Sequence, residues 1–510
     1  MCHNDTVTVT VDQKNFHIKR GTVLSQCLQN MDHPCGGHGK CGKCKIIAHG
    51  ALSPISPSEQ QRLSPEEIRC GVRLACCTTV EGDCEIVTAI LQGYEKEKII
   101  TDGTMPAFVP DPSFSRYGVA FDIGTTTLAA RLYSPSGKML AQESRRNPQA
   151  VLGADVISRI EASLRGETER LAKLIIRAID EMILLLASQA NIDPLEIDGA
   201  VITGNTAMLY FLTATSPKAL SHAPFDADRL FGETLSASAL GLQSLAPNAH
   251  IYLPPCIAAF VGADTVCAIL STRLCEASEP SLLADIGTNG EMALWCNGTL
   301  SVCSTAAGPA FEGVGISMGM QGANGAIDRV RLTETGHLDV HVIGDTKPIG
   351  ICGSGLVDAV ACLLEADQID ETGYTEEDEL TVSAPVILTD KDIRMLQLAK
   401  SAICAGLLTL LKTADISASN ISALHIAGGF GSYLNKINAA RIGLIPAQLT
   451  EKATAVGNAA LAGASMLLLN NAYRAECACF AQHANTIELS SNPLFSELYM
   501  TGMTLEAIDW

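Results

Sequence analysis

Two short stretches of this sequence carry the same residues in the same order. Asp122-Ile-Gly-Thr125 and Asp285-Ile-Gly-Thr288 each close one apolar run and open another. The first continues through Thr126 and Thr127, the second through Asn289 and Gly290. A turn signal follows each, Ser134-Pro-Ser-Gly137 and Asn297-Gly298, and then a third apolar run. One copy would suit an ordinary hairpin in which Asp and Gly serve the turn. Two copies in one strand–turn–strand frame point to an internal duplication. The chemistry these residues suit is a grip on phosphate. Glycine lets backbone approach an anion, and successive turn N–H groups make a concave anion site. Threonine hydroxyls add donors. An aspartate at a strand end can hold Mg2+ through its water shell. Gly124, Thr125, Thr126, Thr127, Gly287, Thr288, Asn289 and Gly290 are therefore candidate phosphate contacts. Asp122 and Asp285 are candidates to position Mg2+ and an attacking water, with the two tasks undivided between them.

A second chemistry is that of thiolates. Cys35-Gly-Gly-His-Gly-Lys-Cys41-Gly-Lys-Cys44 is a glycine-rich C-x5-C-x2-C loop. Plant-type 2Fe–2S sites use C-x4-C-x2-C with a remote fourth cysteine. This loop is one residue longer in its first gap. Cys70, Cys76, Cys77 and Cys84 compete to be the fourth ligand. Zinc is the alternative occupant, but zinc sites usually pair two C-x2-C knuckles and a second is missing. His38, inside the loop, reads as an exposed loop residue.

Composition sets the frame for these sites. The chain has 510 residues, 47% of them hydrophobic, enough for two or more domains. Its net charge of −20 argues against nucleic acid as a partner. Residues 1–93 balance their charges, so the acidity lies after Gly93. The start of the chain shows no secretory signal, and apolar segments such as Ile183–Leu186 and Met466–Leu469 are too short to span a bilayer. A cytoplasmic protein is expected. Its nineteen cysteines are then metal ligands or buried hydrophobes rather than disulfides. Cys303, Cys352, Cys362 and Cys404 sit among small or apolar residues and read as buried and inert.

Three parts follow. In residues 1–93, strands are expected at Thr6–Val11, Asn15–Ile18 and Cys84–Ala89, with a short helix at Thr22–Asn30. Residues 94–117, with a charged run at Tyr94–Lys98 and three prolines at 105–114, read as an extended connector. Residues 118–510 alternate strands and helices with glycines at strand ends, an α/β pattern with ligand sites at strand termini. Strands are expected at Ile197–Thr203, Ile251–Pro255 and Ser422–Ala427. Helices are expected at Asp155–Ala162, Glu167–Ala190, near Gly262–Thr272, from Cys352 to Glu365 and after Gly457-Asn458. Gly204-Asn205-Thr206 and Gly428-Gly-Phe-Gly431 follow strands.

The clamps at 122–127 and 285–290, with Gly428, Gly429 and Gly431 as a nucleoside-side turn, resemble the actin, sugar-kinase and heat-shock-chaperone ATPase superfamily. That resemblance implies two RNase-H-like lobes, near 118–280 and 281–510, closing on Mg-ATP. Gly353, Ser354 and Gly355 would assist at a helix N-terminus. The loop at 35–44 resembles a β-grasp 2Fe–2S ferredoxin, and Arg73-Leu-Ala-Cys76 resembles the segment that carries the fourth ligand there. The implied ligands are Cys35, Cys41, Cys44 and Cys76. Together with Gly308-Pro-Ala-Phe-Glu312-Gly and Cys352-Gly-Ser-Gly355, the whole chain resembles the reductive activators of corrinoid proteins. The expected fold is thus an N-terminal α+β ferredoxin-like domain followed by a two-lobed α/β ATPase.

The resemblance implies an anaerobic function: one low-potential electron passes to the Co(II) corrinoid of a methyltransferase system and restores Co(I), with ATP driving the step. The partners would be that corrinoid protein and an upstream electron donor. Relatives often carry an extra dimerisation domain. Here only residues 94–117 separate the two halves, so a homodimer would need another route. Others carry C-terminal iron–sulfur motifs, for which Cys477-Ala-Cys479 supplies too few ligands. Alternatives are an activator of another low-potential enzyme, a small-molecule kinase with a redox-sensing domain, and a nucleotide-binding redox sensor. Glu312 reads equally as a water-positioning or partner-facing group and as a turn carboxylate. Asp122→Ala is expected to abolish ATP turnover and leave the visible spectrum of the cluster intact. Loss of both would misplace the domain boundary.

Overall fold

The computed structural model describes residues 6–11, 14–28, 37–39, 42, 44–63, 65–69, 71–87 and 102–508. They divide into two compact units, 1–96 with 148–165, and 97–147 with 166–510. The expected boundary near residue 93 is close to this division. The segment 148–165 is the departure, since it groups with the first unit.

The first unit is built on β1 (Thr6–Val11), β2 (Lys14–Lys19), β3 (Lys45–Leu52), β4 (Val72–Leu74) and β5 (Val80–Val87). They form one mixed sheet, β2-β1-β5-β3-β4, with β1 and β5 parallel. Val9, Ile46, Leu74, Val80 and Ile86 face a common core with Leu24. The helix expected at Thr22–Asn30 is a single 3-10 turn, Leu24–Gln26, among the described residues. Val23 forms a β-bridge with Thr79, which draws the chain toward the sheet before a helix can start.

One buried carboxylate organises the approach to Cys76. Glu59 is fully buried. It closes a capping box with Ser56 at the start of helix Pro57–Arg62. It also accepts from Arg73 Nε at 2.8 Å, Leu74 N at 3.1 Å and Thr78 Oγ1 at 3.1 Å. Burial alone would raise its pKa, yet the bonds from Arg73 and the backbone prevail and hold it at about 2. The arginine of the Arg-Leu-Ala-Cys segment thus anchors β4, the strand that leads into Cys76.

The second unit contains a duplicated sheet. β6 (Tyr117–Ile123), β7 (Thr127–Tyr133), β8 (Met139–Arg146), β9 (Ile197–Thr203), β10 (Glu233–Ser236) and β11 (His250–Leu253) pair in the order β10-β11-β9-β6-β7-β8. β12 (Ser281–Ile286), β13 (Gly290–Cys296) and β14 (Thr299–Thr305) open the second copy. An insertion follows, with a small sheet of β15 (Ala326–Leu332), β16 (Leu338–Val342) and β17 (Gly350–Ile351), and a hairpin of β18 (Glu379–Ser383) and β19 (Val386–Thr389). β20 (Ala423–Ala427), β21 (Ala453–Gly457) and β22 (Asn485–Thr486) complete the sheet β21-β20-β12-β13-β14-β22. In each copy three antiparallel strands are followed by two parallel to the first. Asp122 and Asp285 hold the same place, one residue before the end of the first strand.

Helices Ala263–Thr272 and Ala459–Leu469 pack between the two sheets. A Cβ at Gly463 would lie 1.9 Å from the Cys267 carbonyl oxygen, so only glycine permits this crossing. Their shared core takes Ala129 and Val201 from one sheet and Leu283 and Ala293 from the other. The long helix Asp390–Thr413 fills the second lobe. By length and composition it could cross a membrane, which corrects the expectation that every apolar segment is too short. Leu396, Ile403, Leu407 and Leu410 bury it in the lobe's own core instead. The connector is extended as expected where described, and it is tied down. Thr104 N donates to Val456 O and Asp111 N to Leu469 O, and Phe114 is buried in the shared core. Tyr94–Lys98 lies outside the described residues.

Glu59→Ala should destabilise the first unit by about 3–5 kcal/mol, because it leaves Arg73 buried and unpaired. The full chain's thermal melt, followed by circular dichroism, would move to lower temperature. An unchanged melting curve would refute this role.

Candidate functional site

The lobes of the second unit enclose a cavity of about 730 Å³. Asp122 stands at its wall on β6. Its Oδ2 accepts from Asn458 Nδ2 at 2.9 Å. Asn458 Oδ1 in turn accepts from Leu461 N at 2.7 Å, capping helix Ala459–Leu469. One side chain therefore fixes both a helix start and a catalytic candidate. Asn147 steadies the first clamp, donating from Nδ2 to Gly124 O and from its backbone N to Thr126 O, both at 2.8 Å.

The two clamps meet on one carboxylate. Thr126 Oγ1 donates to Glu312 Oε2 at 2.8 Å, and Thr288 Oγ1 donates to Glu312 Oε1 at 2.7 Å. Glu312 ends the 3-10 turn Pro309–Glu312, which lies between Gly308 (φ 81°) and Gly313 (φ 74°). Its neighbour Phe311 stacks on Phe430, ring centroids 4.4 Å apart. The Gly-Pro-Ala-Phe-Glu-Gly turn thus touches both clamps and the Gly428–Gly431 turn. The reading of Glu312 as a mere turn carboxylate is set aside by these bonds.

Six carboxylates line the cavity, Glu312 and Asp328 among them, and burial raises the other four: Asp122, Asp264, Asp285 and Glu291. Desolvation raises Asp122 to about 7, and repulsion from Asp264 and Asp285 adds to it against the Asn458 bond. Asp285 also stands at about 7, from desolvation and then Asp264. Desolvation brings Asp264 to about 6. Glu291, the cross-strand partner of Asp285, is raised by desolvation and by both aspartates. Asp122 and Asp285 offer the hard oxygens that Mg2+ prefers, and no three carboxylates among the described residues form a ready metal cluster.

The cavity brings together Asp122, Gly124, Thr125, Thr126, Thr127, Asp285, Gly287, Thr288, Asn289, Gly353, Ser354, Gly428 and Gly429. Gly428 needs its φ of 92°, and a Cβ there would press Asp285 Oδ1 at 2.9 Å. Gly290, Gly355 and Gly431 are the three expected contacts that do not line the cavity. Their Cβ positions would meet Ile403 Cδ1 at 2.3 Å, Ile327 O at 2.1 Å and Ile426 Cγ2 at 2.5 Å, so they are glycine for close packing. Sequence reasoning missed Asn458, Asn205, Asp264 and Glu291 as cavity residues. A usable signal was present: Gly-Asn follows a strand and starts a helix twice, at 204–205 and 457–458.

In the first unit, Cys44 Sγ and Cys76 Sγ lie 3.2 Å apart. Cys77 Sγ is 3.7 Å from Cys76 Sγ, while Cys84 is buried in the hydrophobic core. Gly37, Gly39 and Gly42 all have positive φ, and a Cβ at Gly39 would lie 2.7 Å from Cys77 Sγ. These converging thiols in a side-chain-free cradle fit a thiolate-bound cluster. Cys35 and Cys41 lie outside the described residues. Cys303, Cys352, Cys362 and Cys404 are buried, and Cys352 also lines the nucleotide cavity.

Comparison with known proteins gives this pattern a family. Residues 279–510 match the model described as the C-terminal domain of RACo, the ASKHA domain. Residues 117–277 match the RACo middle region, which here coincides with the first lobe. The chain is 34% identical to the corrinoid activation enzyme RamQ of Eubacterium limosum, over 80% of this chain and 74% of that one. It is 26% identical to the [Co(II) methylated amine-specific corrinoid protein] reductase of Methanosarcina barkeri, over 77% and 79%. A solved reductive activator for corrinoid, iron–sulfur protein superposes with a TM-score of 0.71 at 28% identity, covering 98% of both chains.

The raised carboxyls fix the sign of a pH effect. The fold binds protons that the unfolded chain releases, so their stabilisation is full below about pH 4 and is lost as pH rises through about 7. A cation offsets the repulsion only where they are ionised. Mg-ATP should therefore raise the melting temperature more at about pH 8 than at about pH 5. Equal increments in melts at the two pH values would contradict the assignment.

Proposed function

The chain belongs to the family of reductive activators of corrinoid proteins, and on that premise we propose that it is a cytosolic, ATP-dependent activator that restores Co(I) in the corrinoid protein of a methyltransferase system. The observation that carries this reading is the coexistence in one chain of a duplicated phosphate clamp joined through Glu312 and a glycine loop with paired thiols. Cys35, Cys41, Cys44 and Cys76 would hold a 2Fe–2S cluster. When bound, such a cluster supplies one electron at a potential near about −400 mV, low enough to approach a Co(II)/Co(I) couple.

The chain's own residues do the rest. Gly124–Thr127 and Gly287–Asn289 present backbone and hydroxyl donors to the phosphates. Asp122 and Asp285 would hold Mg2+, which would offset charge on the phosphates. Gly428 and Gly429 let backbone approach the nucleoside, beside the Phe311–Phe430 stack. Phosphate oxygens and the Glu312 carboxylate want the same threonine hydroxyls. ATP binding therefore breaks or rearranges the Glu312 bridge, and this gives the nucleotide different affinities for two lobe arrangements. A ligand shifts a conformational equilibrium only through such a difference.

The test is anaerobic. The cluster is reconstituted and reduced, a Co(II) corrinoid protein of a methyltransferase system is added, and the Co(I) absorption band is followed with and without Mg-ATP. ATP-dependent Co(I) formation is expected. No Co(I), with a reducible cluster and working ATPase, would move the acceptor to another low-potential enzyme.

A further inference from the structure

We propose that Asn205 and Asp264 hold the water that attacks the γ-phosphoryl group of ATP, with Asn205 Nδ2 donating to the water oxygen and Asp264 accepting its proton. This rests on the reading of the cavity as an ATP site. Neither residue belongs to a clamp turn, and both line the same cavity.

Asn205 is 4% exposed. Its Oδ1 is committed to Ala207 N at 3.1 Å, capping helix Thr206–Leu212. That bond fixes the amide plane, and the buried Nδ2 is left with no hydrogen-bond partner among the described residues. Orphaned buried donors are rare and call for a partner such as water or ligand. Asp264 supplies the complementary acceptor. Its Oδ1 is held by Thr265 N at 2.8 Å, while Oδ2 accepts no bond from the described residues. The turn before Asp264 packs its Oδ1 and the Asn205 backbone around Gly262. Ala263 N and Asp264 N both donate to Gly204 O. A Cβ at Gly262 would lie 2.6 Å from Asn205 Cα and 2.6 Å from Asp264 Oδ1, so glycine is required for this approach. One free N–H and one free carboxylate oxygen match what a nucleophilic water needs.

The duplication gives an independent argument. Thr203 pairs with Asp122, and Ala427 pairs with Asp285. Asn205 therefore corresponds to Gly429. The second lobe has no side chain at that place, which suits backbone approach to the nucleoside. The first lobe has an amide there, which suits work on the nucleophile. The same fold position serves the two ends of ATP.

In the step, the water oxygen bonds to the γ-phosphorus. The bond from that phosphorus to the β–γ bridging oxygen breaks, and ADP leaves with its electron pair. The water proton passes to the Asp264 carboxylate and then to solvent. A positioned base of this kind contributes about 10²–10⁴-fold.

The experiment uses the full reconstituted chain with its corrinoid partner. Asp264→Asn keeps the acceptor for Thr265 N but removes the proton acceptor. Asn205→Ser keeps the helix cap and removes the amide donor. The expected result is a kcat for ATP hydrolysis about 10²-fold lower in Asp264→Asn and about 10-fold lower in Asn205→Ser. A fluorescent ATP analogue should bind both variants as tightly as the parent. Either variant with parental kcat, or with kcat lost only in proportion to lost nucleotide binding, overturns the proposal. Absence of ATP hydrolysis in the parent would instead overturn the functional reading on which it rests.

Discussion

Four of the six carboxylates lining one cavity are strongly desolvated, and that is the constraint on which the second unit turns. Asp122, Asp264, Asp285 and Glu291 repel one another, and each is pushed toward its neutral form. Charges in such a place are tolerated when a cation or a hydrogen-bond network compensates them. Asn458 compensates part of the cost at Asp122. The remainder is a standing cost of the fold wherever these groups ionise.

Glu312 shows how two copies of one motif become a single instrument. Two clamps on separate sheets would be two weak anion sites. Their threonines share one carboxylate, which lies on a turn stacked against the nucleoside-side loop through Phe311 and Phe430. Where the second lobe has Gly429 the first has Asn205, so the shared frame carries different side chains in its two copies.

The first unit solves a different problem, holding thiols on a loop with few apolar residues. Its answer lies beneath the loop. Glu59 gathers a helix cap, the Arg73 guanidinium, a backbone N–H and a threonine hydroxyl. Arg73 is held by that carboxylate and by Ser53 O, so β4 delivers Cys76 to Cys44 at 3.2 Å.

The sequence by itself determined the chemistry and its duplication. Asp-Ile-Gly-Thr repeated in a strand–turn–strand frame, and cysteines spaced along a glycine loop, are local patterns, and local patterns survive in one dimension. Strand positions such as Ile197–Thr203 were legible for the same reason, as was the helix after Cys352. What only the tertiary structure decided depends on residues far apart in the chain. Glu312 reaches Thr126 across 186 positions, and Asn458 reaches Asp122 across 336. Gly290, Gly355 and Gly431 looked like ligand contacts, yet what they face is Ile403, the Ile327 carbonyl and Ile426. A glycine's type records that space is scarce, and only the packed fold shows what occupies it. Asp264 carried no motif at all. It joins the site because a helix start and a strand end are folded against the same cavity.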